Sequence, residues 1–268
     1  MLVCRDTSGP VHHGTLGLLV LVTFLLTFFI FGYQLYDGNT PVSSPSSYEL
    51  LSTSTTTPIN ISLFGDSLVG QTFTNFQFAE NMQHDLNEYS INWYNYGVDN
   101  DTIERIAKRV SNALFHNPKI VLLLFDSDCS DYTIEMSDDE EEMTQIKYQT
   151  NLADVITRLL NHTSVEHVVV AGPGLLGEGP FLLKSRFQGK TSMLNTYRML
   201  NEEVVNRFPA SQVEYVDIRT VLQHALPWYW ALSWGYVTID GEHYNSLGSK
   251  IIAKEFTQKF KQYLSSSS

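Results

Sequence analysis

The chain has 268 residues, with 29 acidic against 17 basic side chains and a formal net charge of −12. That excess excludes nucleic acid as a partner, because binding phosphates needs a cationic face. Only two cysteines, Cys4 and Cys129, are present, so no disulfide framework holds the fold.

Taken in chain order, residues 1–13 precede an uncharged run from Gly14 to Tyr33 rich in Leu, Phe, Val and Ile. At about 1.5 Å per helical residue, such a run matches the hydrocarbon thickness of a bilayer, which predicts a transmembrane signal anchor over residues 14–36. A cleaved signal peptide is disfavoured, because the sequence after the run offers no small-x-small cleavage site. Arg5 lies before the span and no Lys or Arg follows it until Arg105. Flanking charge therefore predicts a cytosolic N-terminus and a lumenal or extracellular domain in a single-pass membrane protein. Cys4 beside the span is either a palmitoylation site or a plain cysteine.

Residues 37–57 are dominated by Ser, Thr and Pro, with too few apolar side chains to offset the entropy of ordering, and are expected to form a linker. Sequons at Asn60, Asn100 and Asn161 fit a glycoprotein domain on the far side of the membrane.

From residue 58 to 268, apolar runs of strand length alternate with segments of helical period. Strands are predicted at Ile59–Phe64, Ile91–Tyr96, Ile120–Phe125, Val165–Ala171 and Gln212–Val216. Helices are predicted at Val69–Glu88, Thr102–Phe115, Met143–Asn161, Thr191–Phe208 and Ser246–Tyr263. The alternation implies one α/β domain with a parallel sheet covered on both faces, whose ligands bind beyond the carboxyl ends of the strands. The acidic run Asp138–Glu142 reads either as a metal-binding cluster or as a solvated stretch leading into a helix start, where negative charge is favoured; dipole grounds favour the second, and no metal is expected.

The first strand ends in Phe64-Gly65-Asp66-Ser67-Leu68. A serine on a sharp turn between strand and helix has its hydroxyl lifted from the sheet, as a nucleophile requires, although serine also serves there as a helix cap. A nucleophilic serine needs an imidazole to take its proton and a carboxylate to fix that imidazole. Asp240 and His243 stand three apart just before the last helix and supply both. Gly97, after the second strand, permits close backbone approach and an N–H aimed at developing negative charge, or is an ordinary strand-end turn.

These blocks together, Gly65-Asp66-Ser67-Leu68, Asn95-Tyr96-Gly97 and Asp240 to Gly248, resemble in order and strand context the first, second and fifth sequence blocks of the SGNH (GDSL) hydrolase family, over about Ile59 to Tyr263. The resemblance implies a three-layer α/β/α flavodoxin-like domain, no metal or organic cofactor, and hydrolysis of carboxylic esters or thioesters through an acyl-serine. It assigns Ser67 as nucleophile, His243 as general base, Asp240 as its partner, and the N–H groups of Ser67 and Gly97 as oxyanion donors, with Asn95 buttressing the Gly97 turn.

The third block departs from the family pattern. Phe125-Asp126-Ser127-Asp128 stands where Gly-x-Asn-Asp is usual, so Ser127 occupies the slot of the oxyanion asparagine. Loss of such a donor costs on the order of a hundred to a thousandfold in rate. A small-molecule, lipid or glycan ester is the expected substrate; a non-catalytic binding protein on the same fold and an acyltransferase using the same triad are the alternatives. Cys129 is expected to be an apolar filler, because its acidic neighbours disfavour a thiolate. Gly172 to Gly177 matches a dinucleotide fingerprint literally, but Pro173 and Pro180 oppose the helix that would hold a phosphate, and the segment reads as an irregular cleft wall. The aromatic stretch Pro227 to Tyr236 is open between acyl pocket, bilayer contact and core.

Overall fold

Short β-branched and leucine-rich runs form the three central strands, as expected for segments covered on both faces. The structure, a computed structural model, describes residues 58–70, 77–125, 137–174, 190–225, 237 and 243–266, all within one unit spanning Ser47–Ser268. Strands β1 (Ile59–Gly65), β2 (Ile91–Gly97), β3 (Ile120–Leu124), β4 (His167–Ala171) and β5 (Val213–Val216) lie in the order β2-β1-β3-β4-β5, with every pairing parallel. This is the flavodoxin-like order, in which the chain reverses its winding direction beside β1 and leaves a crevice at the carboxyl ends of β1 and β3.

The helices are α1 (Gln77–Asp85), α2 (Ile103–Lys108), α3 (Val110–Ala113), α4 (Asp138–Leu160), α5 (Lys190–Val205), α6 (Ile218–Ala225) and α7 (Ser246–Ser266). Alternate strand residues face opposite sides, so Ile61, Leu63, Leu122 and Val169 pack with α1, α6 and α7, while Phe64, Val121, Leu123, Val168 and Val170 pack with α2 to α5. The three-layer α/β/α architecture expected from the sequence is the one observed.

Most element bounds lie within three residues of the sequence reading, and four differences are larger. Val69 and Gly70 lie in a turn, with both N–H groups donating to the Asp66 carbonyl, and the described helix begins at Gln77. The segment 102–115 is two short helices broken at Arg109, whose side chain is drawn toward the sheet. Helix α4 starts at Asp138 instead of Met143, so the acidic run lies inside its first turns. There Ser137 and Glu140 form a reciprocal capping box, and the bonds from the Ser137 backbone and hydroxyl hold the Glu140 carboxyl below its usual range. The short helix α6 was not anticipated; Asp217 caps it by accepting from the Thr220 N–H at 3.1 Å and the Thr220 hydroxyl at 2.7 Å.

Among the described residues, no helix is long and apolar enough to cross a membrane. The predicted span at 14–36 and the linker at 37–57 lie outside the described residues.

Candidate active site

At the carboxyl end of β1 the chain turns sharply at Asp66-Ser67-Leu68-Val69. Beyond the two N–H groups on its carbonyl, Asp66 accepts the Leu68 N–H through Oδ1 at 2.9 Å, so one buried residue closes the turn with both backbone and side chain. This geometry leaves Ser67 at the apex. Among the described residues, no acceptor takes the Ser67 N–H.

His243 reaches this apex from the other end of the domain. Asn245 caps α7, its Oδ1 accepting the Leu247 and Gly248 N–H groups at 3.0 Å each, while its own N–H donates to the Val237 carbonyl at 2.9 Å. Tyr244 anchors the segment in the core, with its ring edge-on to Phe78 at 6.3 Å. With its neighbours fixed on both counts, His243 places Nε2 3.0 Å from Ser67 Oγ across 176 residues of sequence. Both side chains are nearly buried, Ser67 at 6% and His243 at 8% exposure. In the tautomer protonated at Nδ1, the hydroxyl donates to Nε2, which is the pairing a general base requires.

The Gly97 turn sits directly against the Ser67 turn. A Cβ on Gly97 would fall 2.4 Å from the Gly70 nitrogen and 2.5 Å from the Val69 carbonyl carbon, so only glycine allows this approach. Asn95 links the two turns, donating from Nδ2 to the Val69 carbonyl at 2.7 Å and accepting the Gly97 N–H on Oδ1 at 2.7 Å. The Gly97 N–H, expected from the sequence to face a developing oxyanion, is thus bonded here to the side chain expected to buttress it.

Arg109 and Asp101, unremarked in the sequence, stand behind these turns. Arg109 donates from Nη1 to the Tyr96 carbonyl at 3.0 Å, from Nη2 to the Gly65 carbonyl at 3.2 Å, and from Nε to Asp101 Oδ2 at 2.6 Å. Nothing in the sequence marks either residue: Arg109 simply follows Lys108 in a segment of helical period.

Gly172 and Gly174 support the site from beneath. Gly172 takes a positive φ of 116°, and a Cβ there would lie 2.0 Å from the Phe125 carbonyl oxygen. Its own carbonyl accepts from the Tyr215 hydroxyl and from Asn201 Nδ2 at 3.3 Å, and Asn201 Oδ1 accepts the Tyr148 hydroxyl at 2.7 Å. Burial, reinforced by the nearby charge of Asp217, pushes the Tyr215 phenol far up, which keeps it a neutral donor. Gly174 leaves the space that the Tyr244 ring fills. The first three residues of the expected cleft wall are therefore buried scaffolding between the ends of β3 and the His243 segment.

Asp240, Ser127, Cys129, Leu175 to Gly177 and the aromatic stretch up to Tyr236 lie outside the described residues. Among the described residues, no three His, Cys, Asp or Glu side chains converge to hold a metal ion.

Comparison with known proteins places this geometry in context. Residues 61–256 match the family described as GDSL-like Lipase/Acylhydrolase. Comparison with curated protein sequences finds no match. Among solved structures, the chain is similar to Axe2, an acetylxylan esterase from Geobacillus stearothermophilus, at 13% identity and a TM-score of 0.58, covering 75% of this chain and 93% of that one. It is also similar to LAE5, an alpha/beta hydrolase enzyme from the metagenome of Lake Arreo, Spain, at 17% identity and a TM-score of 0.56, covering 74% of this chain and 93% of that one. A third, BT4096, a gut microbial diltiazem-metabolizing enzyme, is 16% identical with a TM-score of 0.59 over 75% of this chain and 46% of that one. At such identities the likeness speaks for the fold, and the family match over most of the domain speaks for the lineage: this chain belongs to the GDSL-like lipase/acylhydrolase family.

Proposed function

We propose that the protein is a carboxylic ester hydrolase that removes an O-acyl or O-acetyl group from a lipid or glycan, with Ser67 as nucleophile and His243 as general base. The observation that carries this reading is the 3.0 Å separation of Ser67 Oγ and His243 Nε2 on a turn at the carboxyl end of β1. The similarity to an acetylxylan esterase supports a short acyl group on a sugar hydroxyl as the first substrate class to test.

In the proposed reaction, Ser67 Oγ attacks the ester carbonyl carbon as its proton passes to His243 Nε2. The ester C–O bond then breaks and His243 returns the proton to the departing alcohol. Water, deprotonated by His243, releases the acid and restores the serine. Asp240 is assigned to hold the imidazolium, and the Ser67 N–H to receive the oxyanion. The Gly97 N–H joins it by sharing its proton between Asn95 Oδ1 and the oxyanion, and the Ser127 hydroxyl takes the place of the usual asparagine donor. The chemistry needs only water as co-reactant.

The test uses the full-length protein. Wild type is expected to turn over p-nitrophenyl acetate and to react with a fluorophosphonate probe at one site, while Ser67→Ala loses labelling and at least about a thousandfold in rate. Equal turnover by the Ser67→Ala variant would overturn the assignment. A folded wild type that neither labels nor hydrolyses would instead support a binding protein on the same fold, and acyl transfer to added sugars in preference to water would support an acyltransferase.

A further inference from the structure

We propose that Arg109 and Asp101 are positioning residues for ester cleavage, fixing the distance between the turn that carries Ser67 and the turn that carries the Gly97 N–H. The inference rests on the hydrolase reading for its consequence, but not for its geometry.

The two turns belong to neighbouring strands in register, with Gly65 opposite Gly97. The strand pairing ends there. At that point the Gly65 carbonyl accepts both the Val98 N–H at 3.1 Å and Arg109 Nη2 at 3.2 Å. The Tyr96 carbonyl, one residue before Gly97, accepts Arg109 Nη1 at 3.0 Å. One guanidinium therefore spans the last carbonyl of β1 and the next-to-last of β2, two residues before Ser67 and one before Gly97.

The guanidinium is itself fixed from two further sides. Asp101 Oδ2 accepts from Nε and forms an ion pair with Nη2, and Asp101 lies at the end of the same loop, folded back by its own N–H bond to the Val98 carbonyl at 3.3 Å. The face of the group lies over the Phe64 ring, 5.1 Å from its centroid. The Asp101 side chain is 5% exposed and the Arg109 side chain 20%, so water competes little for these bonds. The helix α2–α3 break at Arg109, with φ −105° and ψ 8°, is where the arginine enters this cage. Asn95 ties the same turns together through the Val69 carbonyl and the Gly97 N–H. Arg109 and Asn95 thus brace one spacing, Arg109 at the strand ends and Asn95 at the apex.

A lysine keeps the charge but has neither the planar fork nor the number of fixed donors needed to hold two carbonyls and a carboxylate at once. Misplacement by about 1 Å in such a site costs on the order of a hundredfold in rate. The test compares full-length wild type, Arg109→Lys and Asp101→Asn by two readouts. The first is amide hydrogen exchange, which needs no chemistry: Leu68, Val69, Gly70 and Val98 are expected to exchange at least about tenfold faster in Arg109→Lys, with the amides of β4 and β5 unchanged. The second is kcat per fluorophosphonate-titrated site, expected to fall about ten- to a hundredfold with KM within about threefold. Asp101→Asn should move both in the same direction by less, because one acceptor oxygen remains.

Unchanged exchange at the two turns would overturn the proposal. So would activity lost only in proportion to titratable sites, with wild-type kcat per site, since that is what a purely structural role gives. If wild type proves inert toward both probe and ester, the hydrolase reading fails by itself, and the exchange measurement still decides whether Arg109 fixes the two turns.

Discussion

Gly97 shows how much of the site depends on what a residue lacks. Its missing Cβ leaves the space into which the Val69–Gly70 backbone packs, and that contact sets how close the Gly97 N–H can come to Ser67. Gly97→Ala must push the two turns apart, since both atoms in the way are backbone. The expected outcome is a loss of about 1–3 kcal/mol in denaturant stability, as for other overpacked sites, together with a larger proportional loss of esterase activity. Wild-type activity in this variant would show that the turn spacing is irrelevant. Ser67, His243 and Gly97 could be picked out in the sequence because each immediately follows a strand or precedes a helix, positions where the fold concentrates function. Arg109 and Asp101 could not be. Arg109 sits in a segment of helical period beside Lys108, and only the packing of that segment against β1 and β2 reveals that its side chain turns inward.

The strands were legible as elements because fully covered parallel strands read as unbroken apolar runs, and Ile120–Leu124 and His167–Ala171 are buried throughout. Helix ends were less so, because they depend on side-chain caps. Ser137 with Glu140 extends α4 back over the acidic run, and Asp217 starts α6 where no long apolar pattern exists. At the amino ends of the strands, Glu214 of β5 joins two other elements, meeting His167 Nε2 of β4 at 3.2 Å and Lys259 of α7 at 3.2 Å. Burial pushes the Glu214 carboxyl up, but the His167 bond and the Lys259 charge outweigh it, and the net effect lowers its pKa below the ordinary 4.5. A carboxyl lowered in the folded state contributes stability above its unfolded value and loses it as pH falls through the folded one. Wild type is therefore expected to lose more unfolding free energy between pH 6 and pH 3 than Glu214→Gln. Parallel curves in urea titrations at the two pH values would show that this three-element junction carries no acid sensitivity.

For the whole molecule, the sequence alone bears on how the domain is held. We propose that residues 14–36 anchor it and that it faces the lumen or the exterior, on the strength of the uncharged run and the distribution of basic residues. The fold distinguishes the three sequons. Asn60 donates to the His116 carbonyl at 2.6 Å and accepts from Asn92 at 3.0 Å inside the sheet, whereas Asn100 and Asn161 are exposed at a turn and a helix end. In protein from eukaryotic cells, glycosidase treatment is expected to shift the mass of wild type, with the shift reduced by Asn100→Gln or Asn161→Gln. A protein without glycans, its domain digested by protease added to the cytosolic face of sealed microsomes, would reverse the topology.

The 176 residues that separate Ser67 from His243 carry one more implication. On the proposed reading, the nucleophile is made early and gains its base only when α7 has docked against α1 and brought the imidazole across. No partial product of synthesis has the pair. On that reading, labelling of Ser67 would serve as a clock for the docking of α7.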